Sequence, residues 1–136
     1  MVWATLNREQ LLDEQARKRT AAFLSQYAEE KGIYMMINYV NAEHAHALID
    51  LPVHLAIQEA AHLLKGASSH WINENHVGGK RFAWQRGYGA FSVSHSSSDL
   101  VARYISKQGE HHKLNAFEEE LHYLVRHHGL RWYGDD

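Results

Sequence analysis

Val40-Asn41-Ala42-Glu43-His44-Ala45-His46-Ala47-Leu48-Ile49-Asp50 is the stretch on which the reading of this chain turns. Two histidines stand one residue apart inside an apolar run. In an extended strand successive side chains alternate faces, so His44 and His46 project from one side while Ala45 and Ala47 turn to the other. Such a pair is a two-imidazole clamp on a rigid support, the kind of fixed orientation a metal ligand pair needs. The chain carries 12 histidines among 136 residues, so a His-x-His pair also arises by chance. At this point a half-exposed strand with two solvated imidazoles explains it equally well.

Working outward, Ile33-Tyr34-Met35-Met36-Ile37-Asn38-Tyr39-Val40 is rich in strand formers and reads as a central strand. Asn41-Ala42-Glu43 then makes a tight connection into the histidine strand, giving an antiparallel hairpin. Upstream, Leu11, Leu12, Ala16, Phe23, Leu24 and Tyr27 mark an amphipathic helix from Glu9 to about Lys31, with Gly32 as its stop. Met1 to Thr5 reads as a short strand, placed at a sheet edge. Downstream, Pro52 ends the histidine strand. Leu55, Ala56, Ala60, Leu63 and Leu64 then mark a second helix running toward Trp71.

Asn73 to Lys80 reads as a loop. The aromatic segment Phe82 to Ser94 starts as a surface turn carrying Trp84, Arg86 and Tyr88 and ends as a strand. Ser96 to Ser98 and Asp99 are cap residues for a third helix, Leu100 to about Gln108. A last helix capped near Asn115 has Phe117, Leu121, Leu124 and Val125 as its stripe and Gly129 as its stop. The order strand, helix, strand, strand, helix, strand, then terminal helices is the split βαβ arrangement of an α+β, ferredoxin-like (RRM-like) fold. Its antiparallel sheet has helices on one face and extra C-terminal helices. The whole chain, 1–136, is expected to be one domain with a shortened first strand. That fold hosts many functions, so the site must decide.

Apolar residues make up 45% of the chain and charged residues 22%, a globular composition. There is no cysteine, which rules out a disulfide framework and a thiolate zinc site. No apolar run approaches the roughly 20 residues of a membrane span and no signal peptide is recognisable, so the expected location is the cytoplasm, without a membrane partner. The net charge of -2 hides an asymmetry. Residues 61–113 carry seven lysines and arginines against three carboxylates, while the remainder carries seven against thirteen. One basic face for an anionic ligand follows, or merely an uneven surface.

On the expected third helix Tyr104 and Gln108 stand one turn apart and share a face. A phenol with a pKa near 10 is a poor nucleophile at neutral pH. It becomes useful in phosphodiester chemistry when a metal polarises and positions the phosphate. Gln108 could bring an amide oxygen to the metal held by His44 and His46, leaving positions open for phosphate. That donor set suits Mn²⁺ or Mg²⁺ better than a structural zinc.

Five blocks in this order resemble the single-tyrosine His-hydrophobic-His (HUH) transposases of small insertion sequences, especially their REP-associated relatives. They are Val2-Trp3-Ala4-Thr5-Leu6-Asn7-Arg8-Glu9, Glu43-His44-Ala45-His46-Ala47-Leu48-Ile49, Leu64-Lys65-Gly66-Ala67-Ser68-Ser69-His70-Trp71, Trp84-Gln85-Arg86-Gly87-Tyr88-Gly89-Ala90-Phe91-Ser92 and Tyr104-Ile105-Ser106-Lys107-Gln108, with Glu110-His111-His112 behind. The resemblance implies that His44, His46 and Gln108 are metal ligands and Tyr104 the nucleophile. It implies a metal-dependent enzyme that cuts single-stranded DNA near a hairpin, keeps the 5′ end as a phosphotyrosine and leaves a 3′ hydroxyl.

It further implies a homodimer, in which the tyrosine helix of one subunit can serve the metal site of the other, and a bacterial or archaeal, nucleoid-associated location. Family members usually begin several residues earlier, with a fuller first strand. Single strands are held by basic grooves with aromatic platforms. The expected DNA contacts are Lys65, Ser69, Lys80, Arg81, Trp84, Arg86 and Lys107, whereas Trp71 reads as core and His111 and His112 as surface residues. The competing readings are a domesticated or inactive hairpin-DNA-binding protein of the same fold, a rolling-circle initiator or relaxase, and a ferredoxin-like domain without a nucleic-acid role.

Overall fold

The first strand is short because the polar turn after it begins at once. Strand β1 covers Val2–Ala4, and a single 3-10 turn, Leu6–Arg8, follows. Thr5 Oγ1 donates to the Glu9 carbonyl at 2.6 Å across that turn. The computed structural model describes residues 1–107. Gln108, Glu110, His111, His112 and the expected last helix lie outside the described residues.

Helix α1, Glu14–Glu30, starts later than its apolar spacing predicts. Asp13 sets the start: its carboxylate accepts from Ala16 N at 2.8 Å, an N-cap that stabilises the helix by about 1 kcal/mol. Gly32, at φ +72, turns the chain out of the helix as expected. Strands β2, Tyr34–Val40, and β3, His44–Asp50, form the expected antiparallel hairpin. The register slips between Met35 and Ile37. That bulge at Met36 lets Met35 and Ile49 pack on the core even though the alternation counted back from Val40 would turn Met35 away. Helix α2, Ile57–Glu74, follows Pro52, and Glu59 Oε1 accepts from Ala56 N at 3.1 Å at its start.

The sheet runs in the order β1-β3-β2. Cross-strand partners share a face, so the pairs Trp3–Ala45 and Val40–Ala45 put Trp3, Ala45, Ala47 and Val40 on one side. These four join Leu24 and Ala28 of α1 and Ala60, Leu64 and Ile72 of α2 in the hydrophobic core. Trp71 stacks on Phe23 with ring centroids 4.9 Å apart, sealing α1 against α2 as the reading of it as core required.

β1 is not a free edge. Val2 and Gly89 exchange backbone hydrogen bonds at 2.9 and 2.7 Å, and Thr5 bridges Trp84. The strand expected at the end of the Phe82–Ser94 segment does not form; the segment instead makes two isolated antiparallel bridges nearer its start, at Trp84 and Gly89, in the position beside β1 that the ferredoxin-like order requires. Helix α3, Ser98–Ser106, ends the unit Met1–Ser106 and packs on β2 and β3. Its Ile105 is buried outside the main core, as are Val2 and Ala4, which lie on the sheet face opposite α1 and α2. None of the described helices is long and apolar enough to cross a membrane.

Candidate functional site

The second sheet face carries His44 and His46. Their cross-strand partners are Ala4 and Val2 on one side, and Tyr39 opposes His46 on the other. The partners on β1 are small and apolar, and both imidazoles are buried, at 0% and 4% exposure. The rings stand 5.1 Å apart, centroid to centroid, with planes at 78°. The solvated-strand alternative therefore fails: these imidazoles are out of water. Ala45, the small middle residue, is fully buried on the core face.

Beside them Glu43 brings a carboxylate oxygen to 4.0 Å from Nδ1 of His44. Burial pushes the Glu43 carboxyl above the usual range, and the Arg8 guanidinium partly opposes that. Neither residue was singled out by sequence reasoning. Only their places, one flanking the histidine pair and the other in the polar turn after β1, could have flagged them.

Among the described residues no third histidine, cysteine or carboxylate joins the pair to form a metal-holding group of three. Gln108, the expected third ligand, lies outside the described residues. The donors that are present fit a divalent cation: imidazole nitrogens serve most first-row ions, and two of them on one strand supply half of a ligand set. Helix α3 packs on β2 and on β3, the strand that bears them, and Tyr104 is half-buried on it between exposed Arg103 and buried Ile105.

The expected DNA contacts divide. Trp84 is 9% exposed, stands edge-on to Trp3 and Phe82, and donates its indole N–H to Ser68 Oγ at 2.9 Å. It belongs to the core and offers no surface for a base, because its ring is needed to fill the space between β1 and α2. Ser68, a buried hydroxyl, in turn donates within α2, with Leu64 O at 2.6 Å. Ser69, the expected DNA contact beside it, is half-buried.

Lys65 directs its ammonium at protein, donating to Gln85 O at 2.9 Å and Gly87 O at 2.7 Å, and burial lowers its pKa. Lys80 pairs with Glu9 at 3.1 Å on the surface. Arg81, Arg86 and Lys107 are exposed.

This arrangement has counterparts among known proteins. The family model described as "Transposase IS200 like" matches residues 1–108. A crystal structure of a Deinococcus radiodurans R1 protein assigned as a transposase superposes with a TM-score of 0.60. The match covers 79% of this chain and 86% of that one, at 24% sequence identity, a likeness of fold. No curated protein matches the chain at a significant level. With the family model spanning the sheet, the histidine pair and the tyrosine helix, the chain belongs to the IS200-like transposase family.

Proposed function

We propose that this transposase nicks and rejoins single-stranded DNA near hairpins through a 5′-phosphotyrosine on Tyr104. The observation that carries the reading is the buried pair His44 and His46, side by side on the sheet face against which the Tyr104 helix packs. On this reading His44, His46 and Gln108 hold Mg²⁺ or Mn²⁺. The bound cation would supply Lewis-acid polarisation of a phosphate oxygen and fix the scissile group for in-line attack.

The chain's own part is simple to balance. The phenol oxygen of Tyr104 forms a bond to phosphorus and releases its proton to solvent. The bond from phosphorus to the 3′ oxygen breaks, and that oxygen takes up a proton to leave as a hydroxyl. One phosphodiester replaces another, so rejoining by a 3′ hydroxyl needs no nucleotide cofactor. Burial of the two imidazoles supports the reading because charges interact far more strongly out of water. The active species is proposed to be a homodimer, with Tyr104 acting in its own subunit or in the other.

The test is incubation with a 5′-flanked hairpin oligonucleotide and Mn²⁺, followed by denaturing electrophoresis. The parent should yield a protein-DNA adduct that chelator prevents. A Tyr104→Phe protein that forms the adduct as readily as the parent would refute the assignment. Hairpin binding that persists without metal, with no adduct from any substrate, would instead favour an inactive hairpin-binding descendant.

A further inference from the structure

Between the bridges Thr5–Trp84 and Val2–Gly89, β1 contributes two residues and the partner segment four. Gln85-Arg86-Gly87-Tyr88 therefore has two residues more than the pairing can absorb, and it must loop out. Gln85 N still reaches Ala4 O at 2.8 Å, and Gly87, at φ +83, makes the reversal that a residue with a Cβ would resist. Lys65 gathers the loop from α2 by binding the carbonyls of Gln85 and Gly87 together. Trp84 on Ser68 anchors one end, and Gly89 on Val2 anchors the other. A loop so tied has a fixed shape. It holds up Arg86 and Tyr88, two residues apart and both exposed, Tyr88 at 39%.

We propose that this tied loop is a nucleotide-holding tongue for unpaired DNA: Tyr88 stacks on a base, Arg86 pairs with a phosphate, and Lys65 positions both without touching DNA. The inference rests on the single-stranded substrate proposed above. A cation and a flat ring at fixed separation match the alternation of phosphate and base along a single strand. A duplex keeps its bases stacked on each other and offers Tyr88 no open face. Lys65 differs from a phosphate-binding lysine because two carbonyls already take two of its three ammonium donors in a partly dehydrated place. The base of the tongue stands two strand spacings, about 10 Å, from the histidine strand, since Val2 bridges Gly89 on one side and opposes His46 on the other.

The experiment is a salt titration of binding to a fluorescent hairpin oligonucleotide with a single-stranded 5′ flank, run beside the adduct assay. Tyr88→Ala should weaken binding by about 5- to 150-fold with the salt slope unchanged, and Tyr88→Phe should restore it. Arg86→Ala should weaken binding and reduce the log–log salt slope by about 0.7, one single-strand phosphate contact. Lys65→Met should weaken binding in the parent but add nothing in the Arg86→Ala, Tyr88→Ala background.

A further drop there would mean that Lys65 contacts DNA itself, and would overturn its positioning role. A parent that binds and forms the adduct while Tyr88→Ala and Arg86→Ala match it would overturn the tongue alone. A parent that binds no single-stranded flank would overturn the function reading and the tongue with it. The melting transition of each variant checks its folding, and because Arg86 and Tyr88 are exposed their truncation should leave it unchanged.

Discussion

Gly89 lies against Val2 so closely that a Cβ built on it would stand 2.9 Å from Val2 Cγ1, with Phe91 Cε2 at 3.2 Å. Val2 opposes His46, so this contact supports the strand that flanks the histidine pair. Gly89→Ala must therefore push β1 or the 84–89 segment aside. Overpacking of this kind costs about 1–3 kcal/mol. A lowered denaturation midpoint for Gly89→Ala, against a raised one for Gly66→Ala inside α2, where nothing lies within 4 Å of a Cβ and alanine is the better helix former by about 0.5–1 kcal/mol, is the expected result.

Ser68 accepts the only hydrogen bond seen for the buried Trp84 indole among the described residues. Ser68→Ala leaves that N–H without its acceptor inside the protein, at a cost of about 1–3 kcal/mol. Ser69→Ala, one position further round the helix, should change stability by less than about 0.5 kcal/mol. Chemical denaturation of the two variants distinguishes them, and equal effects would contradict the assignment of Trp84 to the core.

Burial lowers the Lys65 pKa from 10.5, so over the pH window just below 10.5 the unfolded chain binds more protons at this group than the folded chain does. Stability from this group therefore rises with pH through that window, and the burial penalty on the charge is fully present below it. The stability of the parent relative to Lys65→Met should increase as pH approaches 10.5. Denaturation curves across alkaline pH measure it, and a relative stability that falls there would reverse the sign of the argument.

His46→Ala should weaken Mn²⁺ binding measured by calorimetry by about 10-fold or more and abolish the DNA adduct, while hairpin binding is kept. The imidazole is the ligand lost, and phosphate contacts made elsewhere are not. Chelation of metal from the parent should produce the same split. Loss of hairpin binding together with the adduct would show that His46 holds the fold and would leave its ligand role unsupported.

The fold was legible where side-chain periodicity is strong. The alternation of His44, Ala45, His46 and Ala47 told which face each would take, and β1-β3-β2 pairing keeps them there. Asp13, one residue before α1, marked the helix start better than the apolar positions Leu11 and Leu12 did. In the 84–89 segment Arg86 and Tyr88 are at the surface as the turn reading expects, but Trp84 is not, because aromatic content alone does not distinguish surface from core. Trp84 is buried against Trp3 and Phe82 with Ser68 on a distant helix accepting its N–H, tertiary facts that no local pattern carries. The two carbonyl partners of Lys65 are likewise 20 and 22 residues away, so nothing local separates it from a phosphate contact.

The central claim is that Tyr104 carries the DNA. Trypsin cuts after Arg103 and Lys107, so digestion of the adduct isolates Tyr104-Ile105-Ser106-Lys107, whose only aromatic side chain is Tyr104. Nuclease trimming and mass spectrometry of that peptide should find a nucleotide 5′-phosphate on Tyr104. Adduct formed in good yield with this peptide unmodified, and the nucleotide on another residue, would contradict the account.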